Sequence, residues 1–249
     1  WKEIGALSFA SATQAAISAY TRATELAPED SDAHNLLGSL YLRTGDFAEA
    51  QRTLEKVSWF EDDQAKRAVA LGNMGVVALA TGDMKEAERL FTESLQINQE
   101  LGYKDGQAAD LADLSDVVRA QGNNARANAM LQSALKLYIE TDSLKGQSNV
   151  QGRLGGAAYQ RGDMRAALAA YTAAADLAEK SDDLASMAPA QLGLGDVAQD
   201  TGRLAEAISH YAAALDIARS LDARQHEAEA LSGLGDVARK QKDSVTAIG

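Results

Sequence analysis

Small residues recur along the chain at Ala16, Ala50, Ala87, Ala127, Ala167, Ala207 and Ala247, separated by 34, 37, 40, 40, 40 and 40 residues. Four positions after each of the first six stands a bulky side chain: Tyr20, Leu54, Phe91, Leu131, Tyr171 and Tyr211. Three further on is a smaller one: Ala23, Val57, Ser94, Ala134, Ala174 and Ala214. Spacing of i, i+4, i+7 marks one face of an α-helix. Twelve residues before each alanine, from the second on, lies a further pair: Leu37-Gly38, Met74-Gly75, Leu114-Ser115, Leu154-Gly155, Leu194-Gly195 and Leu234-Gly235. This predicts a second helix in every unit. Between the two helices sits a glycine (Gly45, Gly82, Gly122, Gly162, Gly202), suited to the left-handed residue that ends a helix. Aspartates follow several of these glycines as N-caps, and Asp46-x-x-Glu49 and Asp83-x-x-Glu86 read as capping boxes.

Each unit is therefore a helical hairpin, and a fixed period of this length means stacked supersecondary units. A hairpin cannot bury its apolar face alone, so its neighbours supply the core, and alanine or glycine at the contacts lets helix axes approach closely. The expected architecture is all-α, one array over residues 1–249, with units at roughly 1–30, 31–67, 68–107, 108–147, 148–187 and 188–227 and a truncated one at 228–249. Because the first and last units are incomplete, the chain is expected to be a piece, or the ordered part, of a longer protein.

The order Leu-Gly, turn glycine, Ala, aromatic, Ala, with Pro28 closing the first unit, resembles the tetratricopeptide repeat over essentially the whole chain. One departure is that the tryptophan usual early in the first helix is replaced by His34, Leu71, Leu111, Gln151, Gln191 and Leu231. The other is the forty-residue period, with the added residues in segments such as QELGYKDGQA and ARSLDARQHE. The longer form is similar to the repeats of kinesin light chains, spindle-orientation adaptors, bacterial pheromone-receptor regulators and the sensor arms of large bacterial regulators. The resemblance implies an α-solenoid, a right-handed superhelix of antiparallel helical hairpins, that binds partners without catalysing a reaction.

In that family the first helices line a concave groove, and ligand contacts come from recurring positions on them. Carried over by register, the place after each Leu-Gly pair holds Ser39, Val76, Asp116, Gly156, Asp196 and Asp236, and the place one helical turn after the glycine holds Leu42, Leu79, Arg119, Tyr159, Gln199 and Arg239. Beside these stand Arg43, Gln160, Asp200 and Lys240, with Asn35 three before the glycine. The polar members form the candidate groove, and Asp116 with Arg119, and Asp236 with Arg239, are spaced to pair at i, i+3. The Lys/Asn clamp by which some tetratricopeptide domains hold a C-terminal carboxylate is not matched, because Leu36, Val69 and Gly72 occupy such places.

Composition narrows the partners. Thirty-six Asp and Glu against 24 Lys and Arg give a net charge of −12, which repels phosphate backbones and anionic membrane surfaces, so no nucleic acid is expected as a partner. The absence of cysteine removes disulfides and thiolate metal sites. No apolar run approaches the ~20 residues needed to span a bilayer, and membrane insertion is not expected.

Candidate chemistry is sparse. Gly193, Gly195 and Ala198 spell G-x-G-x-x-A, the opening of a dinucleotide-binding turn, but such a turn follows a strand, whereas APAQL before Gly193 continues a helix. Close helix packing accounts for these glycines. The Arg161-Gly162-Asp163 tripeptide occupies the turn where TGD stands in earlier units, so a cap explains it. His34, His210 and His226 are dispersed and read as surface or partly packed residues, with no metal site or nucleophile-base pair. The acidic pairs Asp62-Asp63 and Asp182-Asp183 fall near inter-repeat bends as helix caps, and Trp59-Phe60 fills the joint where the period changes. No catalytic, cofactor or metal residues are predicted. The expected function is a scaffold or adaptor for a protein or peptide segment, with the regulatory arm of a larger enzyme or transcriptional regulator as the alternative.

Overall fold

The computed structural model describes the backbone of residues 2–57, 63–221 and 223–248, and within those ranges the side chains from Thr13 to Lys242. Trp59, Phe60 and Asp62 lie outside the described residues. Every regular element among the described residues is a helix: α1 (Lys2–Leu26), α2 (Ser31–Thr44), α3 (Phe47–Val57), α4 (Gln64–Thr81), α5 (Met84–Glu100), α6 (Lys104–Ala120), α7 (Asn124–Glu140), α8 (Leu144–Gln160), α9 (Met164–Lys180), α10 (Leu184–Asp200), α11 (Leu204–Ser220) and α12 (Arg224–Ile248). The repeat frame drawn at 68, 108, 148 and 188 falls one turn inside helices that start at Gln64, Lys104, Leu144 and Leu184.

From α5 onward the helices begin at Met84, Lys104, Asn124, Leu144, Met164, Leu184, Leu204 and Arg224, one every 20 residues. The forty-residue period is thus two equal halves, each a 17-residue helix and a three-residue turn, whereas α2 and α3 have 14 and 11 residues. The added residues of the longer repeat lengthen the helices that flank each inter-repeat bend.

The turns explain the regularity. A left-handed residue stands at Gly82, Gly102, Gly122, Asp142, Gly162, Asp182 and Gly202, again 20 apart. Its N–H, and the N–H of the next residue, close the preceding helix: Gly82 donates to the Leu79 carbonyl at 3.2 Å and Asp83 to that of Ala78 at 2.8 Å. The same pair of bonds recurs at Gly102 and Tyr103, and at Asp182 and Asp183. Inter-repeat bends and intra-repeat turns are therefore one structure, and aspartate tolerates the conformation at two of them.

This geometry corrects the capping boxes. Asp83 does cap α5, its carboxylate accepting from the Glu86 N–H at 3.1 Å. The reciprocal bond is absent because the Asp83 N–H already closes α4 through Ala78, and the Glu86 carboxylate is held by Arg89. Likewise the Asp46 N–H closes α2 at the Tyr41 carbonyl, and Glu49 pairs with Arg52. Of the acidic residues at the bends, Asp63 caps α4 through the Lys66 N–H at 3.2 Å. Asp182 is instead the left-handed residue itself, and Asp183 stands at the N-cap without a side-chain bond.

The helices form two compact units, one of residues Ser11–Asp142 and the other of Trp1–Ala10 and Ser143–Gly249. In each, bulky residues of second helices press onto glycines of first helices. Within the first unit, Leu54 of α3 lies where a Cβ on Gly38 of α2 would be 2.6 Å away, and Phe91 of α5 fills the same socket on Gly75 of α4. Within the second, Tyr171 of α9 is held between Gly155 of α8 and Gly193 of α10, and Tyr211 of α11 between Gly195 of α10 and Gly233 of α12; a Cβ added at these four glycines would fall 2.3 to 2.8 Å from the rings. Ala50, Ala87, Ala127, Ala167 and Ala207 are all buried, as the i, i+4, i+7 pattern requires.

Candidate functional site

The sockets settle the apparent dinucleotide motif. α10 runs without a break from Leu184 through Pro189 to Asp200, so Gly193 and Gly195 lie inside a helix. Gly193 accepts the tyrosine of the preceding hairpin and Gly195 that of its own, which is why both lack a side chain. Asp163 of the RGD tripeptide caps α9 through the Ala166 N–H at 3.0 Å.

The carried-over positions share one exposure pattern. Ser39 and Leu42 on α2, Val76 and Leu79 on α4, Asp116 and Arg119 on α6, Gly156 and Tyr159 on α8, and Asp196 and Gln199 on α10 are all half-buried. The next residues, Arg43, Gln160 and Asp200 among them, are exposed; on α12, Asp236 is half-buried while Arg239 and Lys240 are exposed. A 3.6-residue period keeps such a set on one side of each helix.

In the unit that contains α8 to α12, three first helices are linked along this side. The Tyr159 hydroxyl donates to Asp200 Oδ2 at 2.6 Å, from α8 to α10, and Lys240 Nζ on α12 stands 3.6 Å from Asp200 Oδ1. Burial, and then the Asp200 carboxylate, raise the Tyr159 pKa, so its proton stays in place. Asp196 one turn earlier accepts from Tyr211 of α11 at 2.7 Å, and Gln199 Oε1 lies 3.1 Å from the same hydroxyl. Burial raises the Asp196 pKa, against the Tyr211 bond that lowers it. Asp236 and Arg239 pair within α12, and Gln160 is exposed beside Tyr159. Asp196 thus has a packing duty that register alone did not disclose.

In the unit that contains α2 to α7 the candidates stand closer to the scaffold. Asn35 is 8% exposed and bridges α2 to α4 by donating to the Lys66 carbonyl at 3.1 Å. Ser39 donates to the Asn35 carbonyl and accepts from Asn73 of α4 at 3.2 Å. Asn73 is a contact the sequence reading missed; its place one before the Met74-Gly75 pair was the available signal. Asp116 and Arg119 pair within α6, and Arg43 is exposed near the end of α2.

One of the three histidines requires a correction. His34 is not a surface residue: it is 1% exposed, with Nε2 2.9 Å from the Pro28 carbonyl, because it occupies the large-residue position where α2 meets the preceding bend. His210 is half-buried with Nδ1 2.7 Å from Gln191 Oε1, and burial lowers its pKa. His226 lies in the first turn of α12. Among the described residues no three His, Cys, Asp or Glu side chains are placed to hold a metal ion, and no helix is long and apolar enough to cross a membrane.

Family models of the tetratricopeptide repeat match residues 10–72, 66–140, 146–219 and 186–249. No curated protein matches the chain. Similar folds occur among solved structures. BtubC (BKLC) from P. vanneervenii is 17% identical with a TM-score of 0.60, over 87% of this chain and 92% of that one. A Rap protein complexed with Competence and Sporulation Factor is 13% identical with a TM-score of 0.71, over 85% and 64%. A signal transduction ATPase with a tetratricopeptide repeat sensor, from Pyrococcus horikoshii, is 12% identical with a TM-score of 0.68, over 86% and 33%. The chain therefore spans less than two thirds of the Rap protein and a third of the ATPase. Gly-socketed hairpins in both compact units, and family models that match between residue 10 and residue 249, lead to one conclusion: the chain belongs to the tetratricopeptide repeat family.

Proposed function

We propose that this chain is a non-catalytic scaffold that binds a protein or peptide segment along the exposed side of its first helices. The observation that carries this reading is the line Tyr159, Asp200, Lys240, in which adjacent register positions on the same side of α8, α10 and α12 touch one another across helix boundaries. Polar groups held at fixed spacing on packed helices are the means by which repeat proteins read extended or helical peptides. Asn35, Ser39, Arg43, Asp116 and Arg119 on α2 and α6 are proposed for the same role in the other unit, and Gln160, Asp196, Gln199, Asp236 and Arg239 complete the set beside the line.

The test is a random peptide display library selected on the protein, with hits measured by calorimetry. Changing the three exposed positions together, Asp200→Ala, Arg239→Ala and Lys240→Ala, is expected to weaken binding at least tenfold with the helical circular dichroism unchanged. Equal affinity in the variant, or no enrichment at all, overturns the reading.

A second reading, the regulatory arm of a larger enzyme or regulator, is favoured by one observation. Two of the similar structures are longer chains, one a complex with Competence and Sporulation Factor and the other an ATPase with a repeat sensor. An ATPase, helix-turn-helix or kinase segment in the full-length protein supports that reading, and its absence there favours the free-standing adaptor.

A further inference from the structure

The unit of residues Ser11–Asp142 places a carboxylic acid where the repeat elsewhere places an aliphatic side chain. Asp110 on α6 is 4% exposed, and its counterparts at 40-residue intervals, Ala70, Val150, Ala190 and Ala230, are buried aliphatics. α5 departs from the pattern in the same place. Ser94 and Asn98 are buried there, whereas later second helices carry Ala134, Ala174 and Ala214 at the first position and Tyr138, Ala178 and Ala218 at the second.

These polar groups meet. Asn98 Nδ2 donates to Asp110 Oδ2 at 2.7 Å and lies 3.4 Å from Ser94 Oγ. Ser94 Oγ donates to the Ala68 carbonyl of α4 at 3.0 Å, and Gln107 Nε2 donates to the Asn98 carbonyl at 3.0 Å. Gly106 leaves room for the amide, since a Cβ there would fall 2.5 Å from it. α4 faces the acid with Gly72, whose added Cβ would stand 3.7 Å from Asp110 Oδ1.

No cation pairs with Asp110 among the described residues. Arg67 of α4 and Glu93 of α5 are paired with each other at 2.6 Å, and Glu140 of α7 is held by Lys104 at 2.9 Å. The charge that acts on the acid is Asp113, one turn on along α6, and it is negative. Burial, opposed by the Asn98 bond and the nearby Ser94 hydroxyl and reinforced by Asp113, pushes the Asp110 carboxyl up to about 6.

We propose that the meeting of α4, α5 and α6 is a proton-controlled joint. With Asp110 neutral it closes as the aliphatic joints of the other hairpins do. With Asp110 ionised, a charge that has no cation partner and is held by the Asn98 amide sits among three helices, and the joint opens locally, loosening α6 against α4 beside Gly72. The device is independent of what occupies the first-helix face. Its sign follows from linkage: the folded-state acid is weaker than the ordinary carboxyl at 3.8, so its stabilising proton is fully present below that value and is lost as pH rises through about 6.

Hydrogen exchange of the α5 and α6 amides, corrected for intrinsic rates, tests this between pH 5 and 7.5. Over that window the opening equilibrium is expected to rise about tenfold in the unmodified protein, the last part of a total of roughly a hundredfold that begins at the ordinary carboxyl value. It is expected to stay constant in Asp110→Asn, and in the triple variant Ser94→Ala, Asn98→Ala, Asp110→Ala, which carries the residues of the α9–α10 joint, Ala174, Ala178 and Ala190. The same rise in all three proteins overturns the proposal. Should the variants fail to fold, the carbon-13 shift of the Asp110 carboxyl in the unmodified protein decides: a midpoint near 6 supports the joint, and one near 4 overturns it.

Discussion

Glycines that look alike in the sequence do different work. Gly152 and Gly193 both lie inside first helices, but a Cβ on Gly152 meets nothing within 4 Å while one on Gly193 would stand 2.3 Å from the Tyr171 ring. Gly152→Ala is therefore expected to raise stability by about 0.5–1 kcal/mol through helix propensity, and Gly193→Ala to lower it by about 1–3 kcal/mol through overpacking. Urea unfolding of the pair checks both signs, and equal shifts would contradict the socket. A related contrast concerns Asp196, which the register assigns to the side proposed to meet a partner. Its bond to Tyr211, a residue only 2% exposed, means that Asp196→Ala leaves that hydroxyl with only the longer bond to Gln199 and is expected to cost about 0.5–1.5 kcal/mol. Asp196→Ala in a Tyr211→Phe background should cost less, because donor and acceptor then leave together. Thermal unfolding of this double-mutant cycle measures the coupling, and a coupling of zero would show the bond to be without consequence.

Helices α4 to α10 each end on a left-handed residue, and five of these seven residues are glycine. The exceptions, Asp142 and Asp182, are both at bends between hairpins. Gly202→Ala places a Cβ in a conformation that costs an L-residue roughly 1–2 kcal/mol, so the variant is expected to unfold earlier by that amount. Asp182→Gly should move the other way, by up to about 1 kcal/mol, a difference readable by calorimetry. The hairpins were legible in advance because this geometry writes itself into the sequence as Leu-Gly, turn glycine and alanine at fixed distances. The inter-repeat turns were less legible, since an aspartate in the left-handed position looks the same on paper as an aspartate at an N-cap. The capping boxes failed for a related reason. A sequence pattern specifies which groups can bond, but the Asp83 N–H had a nearer acceptor in the Ala78 carbonyl of the helix just completed.

Within each compact unit, stability comes from joints between hairpins, and these joints are not equivalent. Those of the α8 to α12 region use tyrosine against glycine, and the α4–α5–α6 joint uses a buried acid. The latter makes the molecule's pH response local, with stability in the α5–α6 region decreasing from pH 5 to 7.5, a trend that Asp110→Asn should abolish. The sequence by itself determined the helical class, the hairpin unit, its register and the side of each first helix on which Asp116, Asp196 and Asp236 stand. All of these follow from periodicity along one chain. Tertiary structure alone decided that Asp110 is buried, that Asp196 supports Tyr211 and that Tyr159, Asp200 and Lys240 form one line. Each of these facts depends on which neighbouring helix supplies the partner atom, and periodicity fixes the face of a helix without naming what touches it.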